Sequence, residues 1–258
     1  MRKGHRIPAA AGCLLLSAAV WACSPCAAQE ADIFPDEEIT EAALPEETEP
    51  SPVAGLDQAD PGYWDKVLEA YAEDDSVRQL VLVECTGGSN AAVRFCVKED
   101  GRKGAWTTVF ETDGFIGIGG SGKKTEGDEK TPLGDFGIRQ AFGILEDPGT
   151  QLEYIRLDDQ SACCSHNSIY YNQIIDRRQA KDHYCTGWMI SNDPEFDYGI
   201  ATDYNHYNIW PEGSGIFLHC KGERSYTRGC IAIDEDKMKT VLLYADPGMR
   251  IIIRDPEL

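Results

Sequence analysis

Apolar and polar positions along this chain follow two different periods. In "DPGYWDKVLEAYAEDD" the apolar residues Trp64, Val67, Leu68 and Tyr71 recur at i, i+3, i+4 and i+7, the stripe of one helix face. Asp60 followed by Pro61 supplies a start signal for that helix. Beyond it the period shortens to that of strands, in brief runs punctuated by turn residues. "RQLVLVEC" and "AAVRFCVKE" flank "TGGSN" and predict a hairpin. In its simplest register Cys85 stands opposite Ala91 rather than Cys96, so those two cysteines need not be partners. Further strands are predicted in "GAWTTVFE", "FGIRQAFGI", "YGIATDY", "GSGIFLHC", "GCIAI" and "MRIIIRD". "DEDKMKTVLLYA" predicts a second helix with Met238, Val241, Leu242 and Tyr244 facing inward.

These elements, with no internal repeat, describe one mainly β domain carrying a few covering helices, over residues 61–258. Six cysteines alone allow fifteen pairings, so spacing assigns no disulfide.

The first 28 residues stand apart. Arg2, Lys3 and Arg6 precede the apolar run "IPAAAGCLLLSAAVWAC", the grammar of a bacterial export signal. "VWAC" ending at Cys23 resembles a lipoprotein box, although Trp21 is bulky for one; cleavage after "CAA" would instead leave a chain beginning at Gln29. An internal buried helix is the plain alternative. Export would place the domain where thiols may oxidise and ATP is not available.

Charge sharpens the boundary that follows. The formal net charge is −20. From Gln29 to Asp60 there are eleven acidic residues, no Lys or Arg, and Pro35, Pro45, Pro50 and Pro52. Such a segment buries too little apolar surface to offset its ordering entropy, so residues 29–60 are expected to form a disordered acidic linker. The domain itself remains acidic, which argues against a nucleic-acid partner.

Candidate chemistry concentrates in "GIFLHCKGERSYTRGCIAI", residues 215–233. A cysteine nucleophile needs a base and a field that favours thiolate, and acyl transfer needs amides aimed at the oxyanion. "TRGC" answers these needs: Gly229 permits close approach, and the amides of Gly229 and Cys230 are candidate oxyanion donors. Lys221, Arg224 and Arg228 stand ready to favour the thiolate or grip a carboxylate, or simply to solvate a loop. His219 ends a strand that, if it neighbours "GCIAI", brings imidazole and thiol within reach. A Cys and a His eleven apart are not specific alone, and a satisfied core histidine is the bland alternative.

Two rivals deserve weight. "GIGGSGKKT" fits a phosphate loop at Gly117, Gly122 and Lys123, but Lys124 occupies the position where magnesium binding needs Ser or Thr. Cys163, Cys164 and His166, then His183 and Cys185, then His219 and Cys220 form clusters of soft ligands, yet none has C-x-x-C spacing. Neither a nucleotide cofactor nor a metal is expected from these residues.

In combination the residues resemble the L,D-transpeptidase family with its YkuD-type catalytic domain, over roughly residues 78–254. The resemblance runs through "TPLGDF" (Thr131, Pro132, Gly134, Phe136), "YYN" at 170–172, "DYNHYN" at 203–208, "GSGIFLH" and "TRGCIAI". It implies a mixed β-sheet sandwich with small helices. It also implies Cys230 as nucleophile, His219 as proton donor and acceptor, Gly229 and Thr227 as supporting members of the catalytic turn, and Arg228, Tyr204 and Asn205 as candidates for substrate binding. The departures are a short connection from histidine to cysteine, Arg228 where many members carry a second histidine, and Ala232 where a polar residue often follows.

The implied reaction is acyl transfer on peptidoglycan stem peptides. The thiolate takes the carbonyl of the third residue of a tetrapeptide, expels D-alanine, and passes the acyl group to a side-chain amine of a neighbouring stem. Hydrolysis of the same thioester, an L,D-carboxypeptidase activity, is the near alternative. A non-catalytic wall-binding module with Cys230 in a disulfide is the distant one. The expected setting is the cell envelope, with membrane contact only through a lipid at Cys23, and the expected state a monomer. "CCSHNSIYYN", an irregular polar stretch, is the candidate lid over 215–233.

Overall fold

The computed structural model describes residues 50–98, 104–180, 187–189 and 194–258. The segment expected to be an export signal, most of the acidic segment, His183 and Cys185 lie outside these described residues.

Among the described residues the chain forms, in order, helix α1 (Tyr63–Ala70), strands β1 (Gln79–Gly87), β2 (Asn90–Lys98), β3 (Trp106–Phe115), β4 (Gly134–Phe136), β5 (Ile138–Gly143), β6 (Tyr154–Arg156), β7 (Ser161–Cys163), β8 (Ile174–Asp176), β9 (Gly187–Trp188), β10 (Gly199–Thr202), β11 (Phe217–Cys220) and β12 (Ile231–Ile233), helix α2 (Glu235–Tyr244) and strand β13 (Arg250–Arg254). Ten strands make one mixed sheet in the order β4-β13-β1-β2-β3-β12-β11-β10-β5-β6; the other three make a small sheet in the order β8-β7-β9. The mainly β expectation holds.

The hairpin β1–β2 pairs in the expected register, Cys85 opposite Ala91 and Leu80 opposite Cys96. Alternation then sorts β1 between two cores. Val81, Val83 and Cys85 join strands from both ends of the sheet order, including Ala141, Ile200, Leu218, Ile231 and Ile251, in one inner core. Only a strongly coiled sheet presents the same face of distant strands to one core. Leu80 and Leu82 face the other way and pack beneath α1, against Tyr63, Val67 and Tyr71. Fully burying a side chain such as Val67 is worth roughly 1.5–3 kcal/mol, which exceeds what an eight-residue helix can supply by propensity.

Two expectations need correction. Residues 50–60, assigned by composition to a disordered linker, pack on the domain: Val53 is buried with Tyr63 and Val67, and the Ser51 hydroxyl donates to Asp135. Two apolar residues, Val53 and Leu56, with the Ser51–Asp135 bond and the Arg254 bonds to the Gln58 and Asp60 carbonyls, hold a segment whose average composition is that of a tether. Tyr244 does not face inward. The stripe of α2 is Met238, Val241 and Leu242, continued by Ala245 just beyond the helix; Tyr244 falls beside it, exposed, with its ring edge-on to Phe95 at 6.0 Å.

The irregular stretch "CCSHNSIYYN" contributes the end of β7 to the small sheet. β7 pairs antiparallel with both β8 and β9, and this sheet lies over the outer face of β10 and β11.

Candidate functional site

β11 and β12 are parallel neighbours, with Leu218 opposite Ile231 and His219 opposite Ala232. Cys230 stands two residues before Ala232, so it shares a face with His219 and Phe217. Leu218, Cys220, Ile231 and Ile233 point instead into the inner core. The split explains why His219 and Cys220, adjacent in sequence, never act together: the Cys220 thiol donates to the Tyr198 carbonyl at 3.5 Å within the core. No group of three or more His, Cys, Asp or Glu positioned for a metal occurs among the described residues.

Cys230 lies in the wall of a cavity of about 400 Å³. Lys123, Glu126, Cys163, Met189, Phe196, Gly215, Phe217 and Arg228 complete most of that wall. The thiol donates to the Gly215 carbonyl at 3.2 Å, and the amide of Phe217 donates to the sulfur at 3.4 Å. Burial pushes the Cys230 thiol up to about 12, against a smaller opposing effect of the Phe217 amide. The resting group is therefore a thiol, and thiolate forms only when a base takes the proton.

His219 is buried. Its Nδ1 lies 2.8 Å from the Cys220 carbonyl oxygen, an atom that can only accept. Nδ1 therefore carries the proton, and in the neutral ring the basic lone pair belongs to Nε2. The ring packs edge-on to Phe196 at 5.3 Å; Phe196 in turn meets Phe217 and walls the cavity.

The turn ahead of the cysteine is held by two threonines. Thr227 Oγ1 donates to the Cys230 carbonyl at 2.7 Å and accepts from the Gly229 amide at 3.1 Å. That amide, proposed from sequence as an oxyanion donor, is thus engaged with Thr227 in the resting turn. Thr131, fully buried, contacts the Gly229 carbonyl through Oγ1 at 2.9 Å and accepts from the Gly117 amide at 2.9 Å. Gly229 has φ +135°, and a Cβ there would meet the Lys130 carbonyl oxygen at 2.8 Å. The backbone requires glycine at this point.

Arg228 lies at the mouth of the cavity, 77% exposed, with Nε 3.8 Å from Glu129. Tyr204 and Asn205 are placed elsewhere, in the support behind the wall. The Tyr204 hydroxyl donates to the Glu212 carbonyl at 2.5 Å. The Asn205 side chain accepts from the Ile209 amide and donates to the Gly213 carbonyl, both at 2.8 Å. Asn172, from "YYN", accepts the Gly215 amide at 2.9 Å and donates to the Tyr204 and Asn205 carbonyls. The tyrosine-asparagine elements therefore fix Gly215, the residue on which the Cys230 thiol rests.

The glycine-rich "GIGGSGKKT" forms a self-packed loop. Lys123 Nζ pairs with Asp128 at 2.8 Å, its side chain only 3% exposed. Burial alone would raise Asp128, but Lys123 and the amides of Lys124, Lys130 and Thr125 outweigh it and hold the carboxyl at about 2. With its lysine so committed, this loop does not cradle phosphate.

Sequence reasoning missed Gly215, Phe217, Phe196 and Glu126. The Glu126 carboxylate accepts from Tyr171 and Ser214, both at 2.7 Å. The only signal for the first was the "GSG" turn; the others look like ordinary core or loop residues. A larger depression of about 680 Å³ on the outer face of β1–β3, lined by Trp64, Glu84, Arg94, Glu111 and Arg254 among others, contains neither cysteine nor histidine.

Comparison with known proteins bears on this arrangement. A family model described as the L,D-transpeptidase catalytic domain, YkuD, matches residues 91–253, well over half of the chain. No curated protein matches. Among solved structures, L,D-transpeptidase 1 from Mycobacterium tuberculosis is 12% identical, covering 68% of this chain and 61% of that one, with a TM-score of 0.31. An L,D-transpeptidase from Stackebrandtia nassauensis is 15% identical over 76% of this chain and 67% of its own, with a TM-score of 0.31. A cysteine-to-serine mutant of an L,D-transpeptidase from Enterococcus faecium is 13% identical over 68% and 49%, with a TM-score of 0.30. On the family match, the chain belongs to the YkuD family of L,D-transpeptidase catalytic domains.

Proposed function

We propose that this protein is a cysteine-dependent L,D-transpeptidase that acts on peptidoglycan stem peptides through a thioester on Cys230. The observation that carries the reading is the arrangement at the cavity. A thiol lies in its wall with a backbone amide on the sulfur. On the same face stands a histidine whose tautomer leaves Nε2 basic.

In this mechanism Nε2 of His219 takes the Cys230 proton as the sulfur attacks the carbonyl carbon of the third stem residue. The C–S bond forms and the carbonyl π pair moves to oxygen. Collapse of that intermediate breaks the amide C–N bond, and the imidazolium returns its proton to the departing D-alanine nitrogen. A neighbouring stem amine then attacks the thioester, gives its proton to Nε2, and leaves a new amide with Cys230 regenerated as thiol. The Phe217 amide stabilises the sulfur while it bears charge. Arg228 at the mouth is the candidate for a substrate carboxylate. Such a substrate lies outside the cytoplasmic membrane, which the export signal of residues 1–28 supports, with a lipid at Cys23 as one form of retention.

Incubating the full chain with a carbapenem and recording the intact mass tests the reading. One covalent adduct, lost in Cys230→Ala, is expected. A tetrapeptide stem offered with an acceptor amine should then give cross-linked dimer and D-alanine. Release of D-alanine with tripeptide alone would assign a carboxypeptidase, and an unlabelled Cys230 would overturn the acyl-enzyme.

A further inference from the structure

The cavity contains a second thiol that acyl transfer does not use. Five cysteines are free among the described residues. Cys85 and Cys220 are sealed in the inner core, and Cys96 lies in the separate core beneath α1. Cys163 and Cys230 line the cavity together. Their sulfurs also meet one residue. The Cys230 thiol donates to the Gly215 carbonyl at 3.2 Å, while a Cβ placed on Gly215 would lie 3.1 Å from Cys163 Sγ. Any side chain there would intrude between the strand carrying the nucleophile and the small sheet above it. Gly215 itself is fixed, its amide held by Asn172 at 2.9 Å and its φ at +63°. Cys163 ends β7, the central strand of the small sheet, so that sheet brings its sulfur to the cavity. The charge of the Cys230 sulfur is felt at Cys163: after burial, it is the strongest influence that raises Cys163.

We infer that Cys163 is a resolving thiol for Cys230, and that disulfide reagents close the pair into a reversible Cys163–Cys230 bond that shuts the active site. The consequence for activity rests on the reading of Cys230 as nucleophile. The oxidant is a disulfide, RSSR, from a small molecule or a protein. With its proton passed to His219, the Cys230 sulfur attacks one sulfur of RSSR; a Cys230–S–S–R bond forms and RS⁻ leaves, taking a proton to become RSH. Cys163, deprotonated in turn, attacks Cys230 Sγ by rotating across Gly215, and the second RSH departs. Two protein thiols are oxidised and one RSSR is reduced to two RSH. The bond is made and undone by the same exchange, so the nucleophile is stored rather than lost.

The test uses the full chain treated with cystamine, whose two ammonium groups suit the carboxylates of Glu126 and Glu129 at the cavity wall. Peptide mapping without reductant should find Cys163 joined to Cys230. Carbapenem labelling should fall in proportion to that species and return on adding a thiol reductant. Cys163→Ser should stop at a cysteamine adduct on Cys230. Wild-type protein that stops at the same adduct, or that joins Cys163 to a different cysteine, would overturn the inference while leaving the transpeptidase reading intact. Protein that takes no carbapenem label before cystamine is added would overturn the transpeptidase reading, and with it the claim that the bond shuts an active site, whatever the peptide map shows.

Discussion

Replacing Gly229 by alanine tests whether the backbone of the TRGC turn sets the position of the proposed nucleophile, Cys230. Two costs follow from its geometry. At φ +135° an L side chain is strained, by roughly 1–3 kcal/mol. The new Cβ also lies 2.8 Å from the Lys130 carbonyl oxygen, a backbone atom that cannot swing aside. Relief requires the turn to move, which lengthens the contact between Thr131 Oγ1 and the Gly229 carbonyl at a cost of about 1 kcal/mol. The sum, about 2–4 kcal/mol, corresponds to a fall in Tm of roughly 5–15 °C for a domain of this size. Displacing the adjacent sulfur should slow carbapenem acylation, by up to about 10²-fold for a shift of about 1 Å. Differential scanning fluorimetry and stopped-flow acylation read the two effects separately. A variant that melts within about 1 °C of wild type and acylates at its rate would refute the argument, because neither strain nor displacement would then exist.

His219→Ala should retain a thiol that acylates roughly 10²–10⁴-fold more slowly, measured at fixed carbapenem concentration; an unchanged rate would mean that another group takes the proton. Alkaline lability follows from the core thiols. Burial, reinforced by Asp255 and Glu84, pushes Cys85 up to about 12 from 9.0, and burial, reinforced by Glu235 and Asp197, does the same for Cys220. Below pH 9 both states keep these protons; between about 9 and 12 the unfolded chain releases them and the folded chain does not. Their stabilisation is therefore complete below pH 9 and is lost as pH rises towards 12, by up to about 4 kcal/mol per thiol. Urea titrations at stepped pH should show a decline that is shallower in Cys85→Ala/Cys220→Ala, and equal slopes would refute the assignment.

The legible parts of this protein are those written in local periods. The β1–β2 register was readable because two alternating strands flank a glycine turn, which leaves one natural pairing for Cys85. The stripe Met238, Val241, Leu242 was readable for the same reason at helical spacing. What escaped notice was assembled from afar. The small sheet has strands of two or three residues, too short to show alternation, and it brings Cys163 and Gly187 to the cavity. Asn172 and Asn205 were legible as motif letters, yet Asn172 braces Gly215 across 43 residues of chain and Asn205 ties Ile209 to Gly213. Val53 and Leu56 show the reverse error, in which composition averaged over a segment hides a pair of anchoring residues.

The hydrogen bond from His219 Nδ1 runs to a main-chain carbonyl. In catalytic triads built wholly from side chains, the orienting third member is itself a mutable residue, and one substitution can remove it. Here every amino acid at position 220 supplies the same oxygen. The orientation of the proposed base is thus insensitive to point substitution at position 220, whereas a change in the path of β11 itself would undo it.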